Sequence, residues 1–390
     1  MSTAPNSPPH GGDVRRFRVL SGALAALFWI GVAYLLKPAQ STGDGAAYVL
    51  QALEGSAWER SVHFGYLLPL RGWVRAAGSM GVDPSLAANL LNAAWAFVGL
   101  GAATALAAQH LRSLDPSPAP VAALLAPALL LCSGAMWDQA VFCEVYGPLA
   151  STAMAAAWAL GAGRDRLAVA AFVLAVLVHP GALALGPGLL LLGGVELGSK
   201  RARRGVAWAV GLSAGAVLLL GADWWTGGRG VLHATPDQTF ARGLQDAWRL
   251  LSRDVGAAAL PVLVGGLVAW ESRQRRPLMG LGLIVLGASA SLARWSDNPG
   301  HLPTLFAAAV FAPQALYVGF APTRVGRRLS RSWATLVVLV VALGITEGLS
   351  REDARARGAD SRFETLSTDC APRDEPFRSE RLRALACRGE

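Results

Sequence analysis

The chain has 390 residues, 53% hydrophobic and 16% charged, with a mean hydropathy of +0.39. Its apolar residues fall in repeated long blocks, not in short alternating runs, which argues against a soluble domain and for a polytopic membrane protein of all-α class. The net charge of +9 invites comparison with nucleic-acid binders. Its arginines, however, lie mainly in short connectors and in the C-terminal tail, where membrane orientation accounts for most of them, so no nucleic-acid partner is expected.

Residues 1 to 14 are rich in Ser, Pro and Gly and predict a disordered cytoplasmic N-terminus. Phe17 to Leu36 then supplies the roughly 20 apolar residues that cross about 30 Å of hydrocarbon. Arg15, Arg16 and Arg18 would also flank a cleavable signal, but Lys37-Pro38-Ala39-Gln40 is a poor cleavage site, so the segment is expected to be a retained first helix.

Ser41-Thr42-Gly43-Asp44-Gly45 follows at once, and then Ser61-Val62-His63-Phe64-Gly65-Tyr66. Asp44 stands one or two helical turns past the lipid, where a carboxylate meets both headgroups and water. Two uses of it stay open. It can act as a base that removes a proton from an acceptor hydroxyl, or it can cap a helix starting near Gly45.

Further spans are expected at about 86–111, 119–136, 145–162, 166–180, 182–198, 205–221, 257–271, 277–293, 303–320 and 333–350, which makes roughly eleven crossings. The fifth and sixth are short and separated by His179-Pro180-Gly181, so they form a bent pair. With the N-terminus inside, the connectors at 111–118, 163–166, 199–204, 271–277 and 323–331 fall in the cytoplasm, and each carries Arg or Lys. The two longest connectors, 38–85 and 222–256, share the opposite face, which makes that face the expected working surface. In the first, Gly65 to Met80 with Arg71 and Arg75 predicts an interfacial helix. In the second, Phe240, Leu244, Trp248 and Leu251 recur at helical spacing. Residues 15 to 350 thus form the membrane domain, followed by a charged extracytoplasmic tail from 351 to 390.

Four cysteines are too few for a disulfide scaffold. Cys132 and Cys143 are expected to be packing residues, while Cys370 and Cys387 fit a disulfide if the tail is extracytoplasmic. There is no Cys-x-x-Cys, P-loop or His-Glu-x-x-His pattern and no Gly-x-Ser-x-Gly elbow at a strand-to-helix turn, which disfavours nucleotide-powered transport and hydrolase chemistry. No cofactor is implied, with a divalent metal left open.

The stretch Trp137-Asp138-Gln139-Ala140-Val141-Phe142-Cys143-Glu144-Val145-Tyr146 brings a second acid to the end of a span. Glu144 and Tyr146 fit a sugar site, or an interfacial aromatic belt beside a solvated acid. His63 and His179 each suit pairing with a phosphate or carboxylate, or a packed core position. Arg294 and His301, flanking Asp297-Asn298-Pro299-Gly300, suit a carrier phosphate or an interface anchor.

Four of these motifs in order resemble the GT-C superfamily of membrane glycosyltransferases, closest to its protein O-mannosyltransferase-related branch. The counterparts are Gly43-Asp44, then His63-Phe64-Gly65-Tyr66, Asn89-Leu90-Leu91-Asn92 at the start of the next span, and Glu144-Val145-Tyr146. The likeness covers about residues 17 to 200. Ala47 stands where the branch often has a second acid, and Phe64 where a proline is common.

The resemblance implies a sugar transferred from a polyprenyl-phosphate carrier to a hydroxyl on a protein, glycan or lipid acceptor, at the outer face of a bacterial inner membrane. It implies Asp44 as catalytic base, with His63, Tyr66, Glu144, Tyr146, Arg294 and His301 binding substrate. Two rivals stand beside it. A lipid-linked glycan transporter would carry ionisable groups inside its spans, of which the sequence shows few; a non-catalytic scaffold is compatible with Ala47.

Overall fold

The computed structural model describes residues 11–36, 44–54, 63–114, 120–220, 259–272, 274–295 and 302–314, together with Gln245. Among these residues every regular element is helical: α1 (Gly11–Leu35), α2 (Asp44–Glu54), α3 (Phe64–Ser79), α4 (Pro84–Leu114), a 3-10 turn (Pro120–Leu124), α5 (Leu125–Leu131), α6 (Gly134–Val141), α7 (Tyr146–Gly161), α8 (Asp165–Val178), α9 (Ala182–Leu192), α10 (Lys200–Leu220), α11 (Ala259–Glu271), α12 (Arg275–Trp295) and α13 (Leu302–Ala309). A helix bonds its own N–H and C=O groups, which is what long apolar runs need away from water.

Two helices are long and apolar enough to cross a membrane, residues 14–35 of α1 and all of α4. A third crossing results if 121–131 and 134–141 form one broken span or a re-entrant loop. The expectation of about eleven crossings is therefore supported for two or three of them among the described residues. The expected span at 333–350, the amphipathic helix around Phe240 to Leu251, the tail and Cys370 with Cys387 lie outside the described residues. Helix α1 leaves Val19, Trp29 and Ile30 exposed, an apolar face suited to lipid.

Several boundaries differ from expectation for local reasons. Helix α1 begins at Gly11, inside the stretch expected to be disordered. The expected span 119–136 is cut at Cys132, because Ser133 caps a new helix by accepting from the Met136 N–H, and α6 leaves α5 at 76°. Residues 137–141, expected in a connector, are thus helical. Trp137 is not part of an interfacial belt: it is fully buried, stacks on Phe28 of α1 with centroids 5.6 Å apart, and donates to the Leu131 carbonyl at 2.8 Å.

The segment expected as an interfacial helix is helical, as α3. It buries Leu67, Leu70, Val74 and Ala77 on one face and exposes Arg75 on another. It ends in a left-handed turn at Gly81 (φ 79°), where the N–H of Gly81 meets the Gly78 carbonyl and that of Val82 meets Ala77. Asp83 then caps α4 through its side chain to the Leu86 N–H at 2.8 Å, with Pro84 opening the helix.

Helix α4 runs through the middle of the bundle against α7, α6, α5 and α3. Helices α9 and α12 approach closely, because glycine replaces side chain where they meet. A Cβ at Gly188 would stand 2.6 Å from the Ile284 side chain, and one at Gly280 would stand 2.7 Å from the Gly188 carbonyl. Small residues of this kind let helix backbones approach without a hydrophobic driving force. Gly188→Leu should lower the thermal midpoint in nanodiscs, at an overpacking cost of about 1–3 kcal/mol. Gly282→Leu, on a position with nothing within 4 Å, should leave it unchanged. Equal midpoints for both variants would refute this packing.

Candidate functional site

Four of the seven expected site residues, His63, Tyr66, Glu144 and Tyr146, gather around the start of α3, the end of α8 and the loop between α6 and α7. The close approach of α3 and α8 brings two of the segments together, since a Cβ at Gly65 would stand 2.9 Å from the Leu177 backbone. His63 immediately precedes α3, and its Nδ1 donates to the Val178 carbonyl at 2.7 Å. Its ring stacks on that of His179, centroids 5.2 Å apart and 17° from parallel. Tyr48 meets His63 and Tyr66 edge to face, and Tyr146 packs on His179 at 5.3 Å.

Hydrogen bonds settle the tautomers of the two imidazoles. A neutral His63 that donates from Nδ1 keeps its lone pair on Nε2. His179 accepts the Gly181 N–H on Nδ1 at 3.0 Å, so a neutral ring carries its proton on Nε2. Burial lowers His63 to about 4, although the Val178 carbonyl opposes the shift. The ring is therefore uncharged near neutral pH. A neutral imidazole hydrogen-bonds hydroxyls.

Tyr66 also departs from expectation. It is fully buried, and its hydroxyl donates to Asn92 Oδ1 at 2.7 Å. That uses its only hydrogen, so the Cys143 thiol, 3.0 Å away, donates to the same oxygen. Tyr66 belongs to the scaffold and has no surface with which to touch a sugar. Cys143 is likewise more than packing. Burial pushes its thiol up to about 12, with the Glu144 carboxylate adding to the shift, so it stays protonated and unreactive.

Asn92 carries much of the site's bonding and was quoted in the sequence only as part of a motif. Its Nδ2 donates to the Phe142 carbonyl at 2.6 Å and to the Glu144 carbonyl at 2.7 Å. Two acceptors on that side fix the amide's orientation and leave Oδ1 for Tyr66. The available signal was a polar side chain inside the apolar start of α4. His179 and Tyr48 complete the cluster; His179 was noted as a candidate and Tyr48 was missed.

Asp44 is the first residue of α2, one place earlier than the helix start expected of it. The next residue, Gly45, is pressed on the α6–α7 loop: a Cβ there would stand 2.7 Å from the Cys143 carbonyl. The backbone at Asp44 is thereby brought beside the segment that carries Glu144. The Asp44 side chain lies outside the described residues, as do the Arg294 side chain, near the end of α12, and all of His301. Among the described residues, no three His, Cys, Asp or Glu group as metal ligands would. No protein-family model matches the chain, and no curated protein matches it.

The lowered pKa of His63 has a signed consequence. Its folded value, about 4, lies below the unfolded value near 6.5, so the unfolded chain binds the proton first. The stability held by the neutral ring is complete above about pH 6.5 and is lost as pH falls through 4. Thermal midpoints measured from pH 7.5 to 4 should fall less steeply for His63→Gln than for the native protein; parallel curves would show that His63 does not titrate in this way.

Proposed function

We propose that the chain is a GT-C-like membrane glycosyltransferase that takes a sugar from a polyprenyl-phosphate carrier and passes it to a hydroxyl on a protein, glycan or lipid. The observation that carries the proposal is the contact of Gly45 with the Cys143 carbonyl, which places the start of α2, with Asp44, beside the Glu144-Val145-Tyr146 segment. These are two motifs of the resemblance, separated by about a hundred residues in the chain. On this reading the complete bundle has about eleven crossings in a bacterial inner membrane, and the site opens on the outer face.

Asp44 takes the proton from the acceptor hydroxyl as its oxygen attacks the anomeric carbon. The bond from that carbon to the carrier phosphate breaks, polyprenyl phosphate leaves with the electron pair, and the configuration inverts. Uncharged His63, with His179, Tyr146 and Glu144, suits the hydroxyls and ring face of a sugar. The carrier's charge then falls to cations elsewhere, with Arg294 and His301 the candidates.

The transporter alternative is less favoured, because among the described residues no Lys, Arg, Asp or Glu is buried in the bundle. With purified protein, polyprenyl-phosphate hexose and an envelope glycan acceptor, Asp44→Asn should lower transfer about 100-fold to 10,000-fold. Full transfer by this variant would remove Asp44 from the chemistry, and donor movement across a bilayer without a new glycosidic bond would replace the proposal with transport.

A further inference from the structure

We infer that Asn92 is a positioning residue that sets where Glu144 and Tyr146 stand relative to the start of α2, an inference that rests on the transfer reading above. Asn92 is completely enclosed in α4, between Leu91 and Ala93. The helix needs no side-chain amide for its own backbone, and a buried amide left unbonded is costly. This amide is answered wholly from outside α4. Both hydrogens of Nδ2 go to the Phe142 and Glu144 carbonyls, and Oδ1 receives the Tyr66 hydroxyl.

The segment it holds is the gap between α6 and α7, which the helices bond only at its two ends, through the Phe142 N–H to the Asp138 carbonyl and the Leu149 N–H to the Val145 carbonyl. Phe142 is extended (φ −106°, ψ 144°), and successive carbonyls of an extended chain point to opposite sides. The contacts follow that alternation. The carbonyls of residues 142 and 144 meet Asn92 on α4, while the carbonyl between them, on Cys143, faces Gly45 at the start of α2. The segment is therefore held between α4 and the first turn of α2.

Two residues after Cys143, the Val145 carbonyl accepts the Leu149 N–H and begins α7, with Tyr146 its first residue. One amide thus fixes the lateral position of the segment that leads into α7. Ala47, which lacks the second acid of the resembled branch, makes accurate placement of Glu144 opposite the Asp44 backbone more consequential. Among the described residues, the titratable groups packed around position 92 are Tyr66 on α3 with Tyr48 behind it, and Cys143 and Glu144 in the segment itself.

The test uses the full-length protein in lipid nanodiscs, with polyprenyl-phosphate mannose and polyprenyl-phosphate glucose as donor probes and an envelope glycan fraction as acceptor. Asn92→Asp keeps the acceptor for Tyr66 but removes both hydrogens from the carbonyls. It should lower kcat about 100-fold at pH 8, the scale of a misplacement near 1 Å, with the donor KM within about threefold. Protonation of the introduced carboxyl restores one donor, so the ratio of variant to native kcat should rise roughly fivefold or more from pH 8 to pH 6. A ratio constant with pH, or a loss confined to KM, would overturn the inference.

A second readout does not depend on transfer. Cys143 should resist maleimide in the native protein, and in Asn92→Leu its peptide should be alkylated on the order of ten times faster or more, as the released segment opens. Equal rates in a folded Asn92→Leu protein would overturn the clamp. If native protein transfers no sugar from either donor, the glycosyltransferase reading falls, and the alkylation rates alone decide whether Asn92 holds the segment.

Discussion

The site depends on satisfying the backbone of one irregular stretch inside an apolar bundle. Residues 142 to 145 break the helical ladder between α6 and α7, and every carbonyl freed by such a break needs a donor where water is scarce. Asn92 supplies two donations from one side chain, and Tyr66 with Cys143 completes the network from α3. Such a network specifies one arrangement because a partial version leaves buried polar atoms unbonded. Its consequence is geometric: the segment bearing Glu144 and Tyr146 is held between α4 and the start of α2.

The electrostatic character of the cluster follows from the same burial. His63 is neutral near physiological pH, Cys143 stays a thiol, and no buried Lys or Arg stands beside them among the described residues. A group of this kind recognises hydroxyls and ring faces better than it recognises phosphate. The proposed division of labour separates a neutral sugar pocket from a cationic place for the carrier.

Much of the architecture was legible in the sequence where a physical period or a stop signal was strong. The apolar lengths around α1 and α4 and the helix from Gly65 with Arg75 outside have direct counterparts in the structure. The 76° break at Cys132 was not seen, because composition stays apolar across it and only Ser133 marks the new helix. The site was legible in part. His63, Glu144 and Tyr146 announced themselves as polar or aromatic residues near span ends, whereas Tyr66 looked like a ligand-facing aromatic until its hydroxyl was found bonded inside the scaffold. The role of Asn92 depends on carbonyls about fifty residues away, and pairings of that range leave no local periodicity.

The most direct measurement is an electron cryomicroscopy structure of the protein in nanodiscs with a non-hydrolysable polyprenyl-phosphate sugar. The account predicts the sugar ring against Tyr146 and the paired imidazoles of His63 and His179, with its anomeric carbon toward Asp44 at the start of α2. A sugar seated away from the Glu144-Val145-Tyr146 segment, or a carrier phosphate lodged between the two imidazoles, would contradict it.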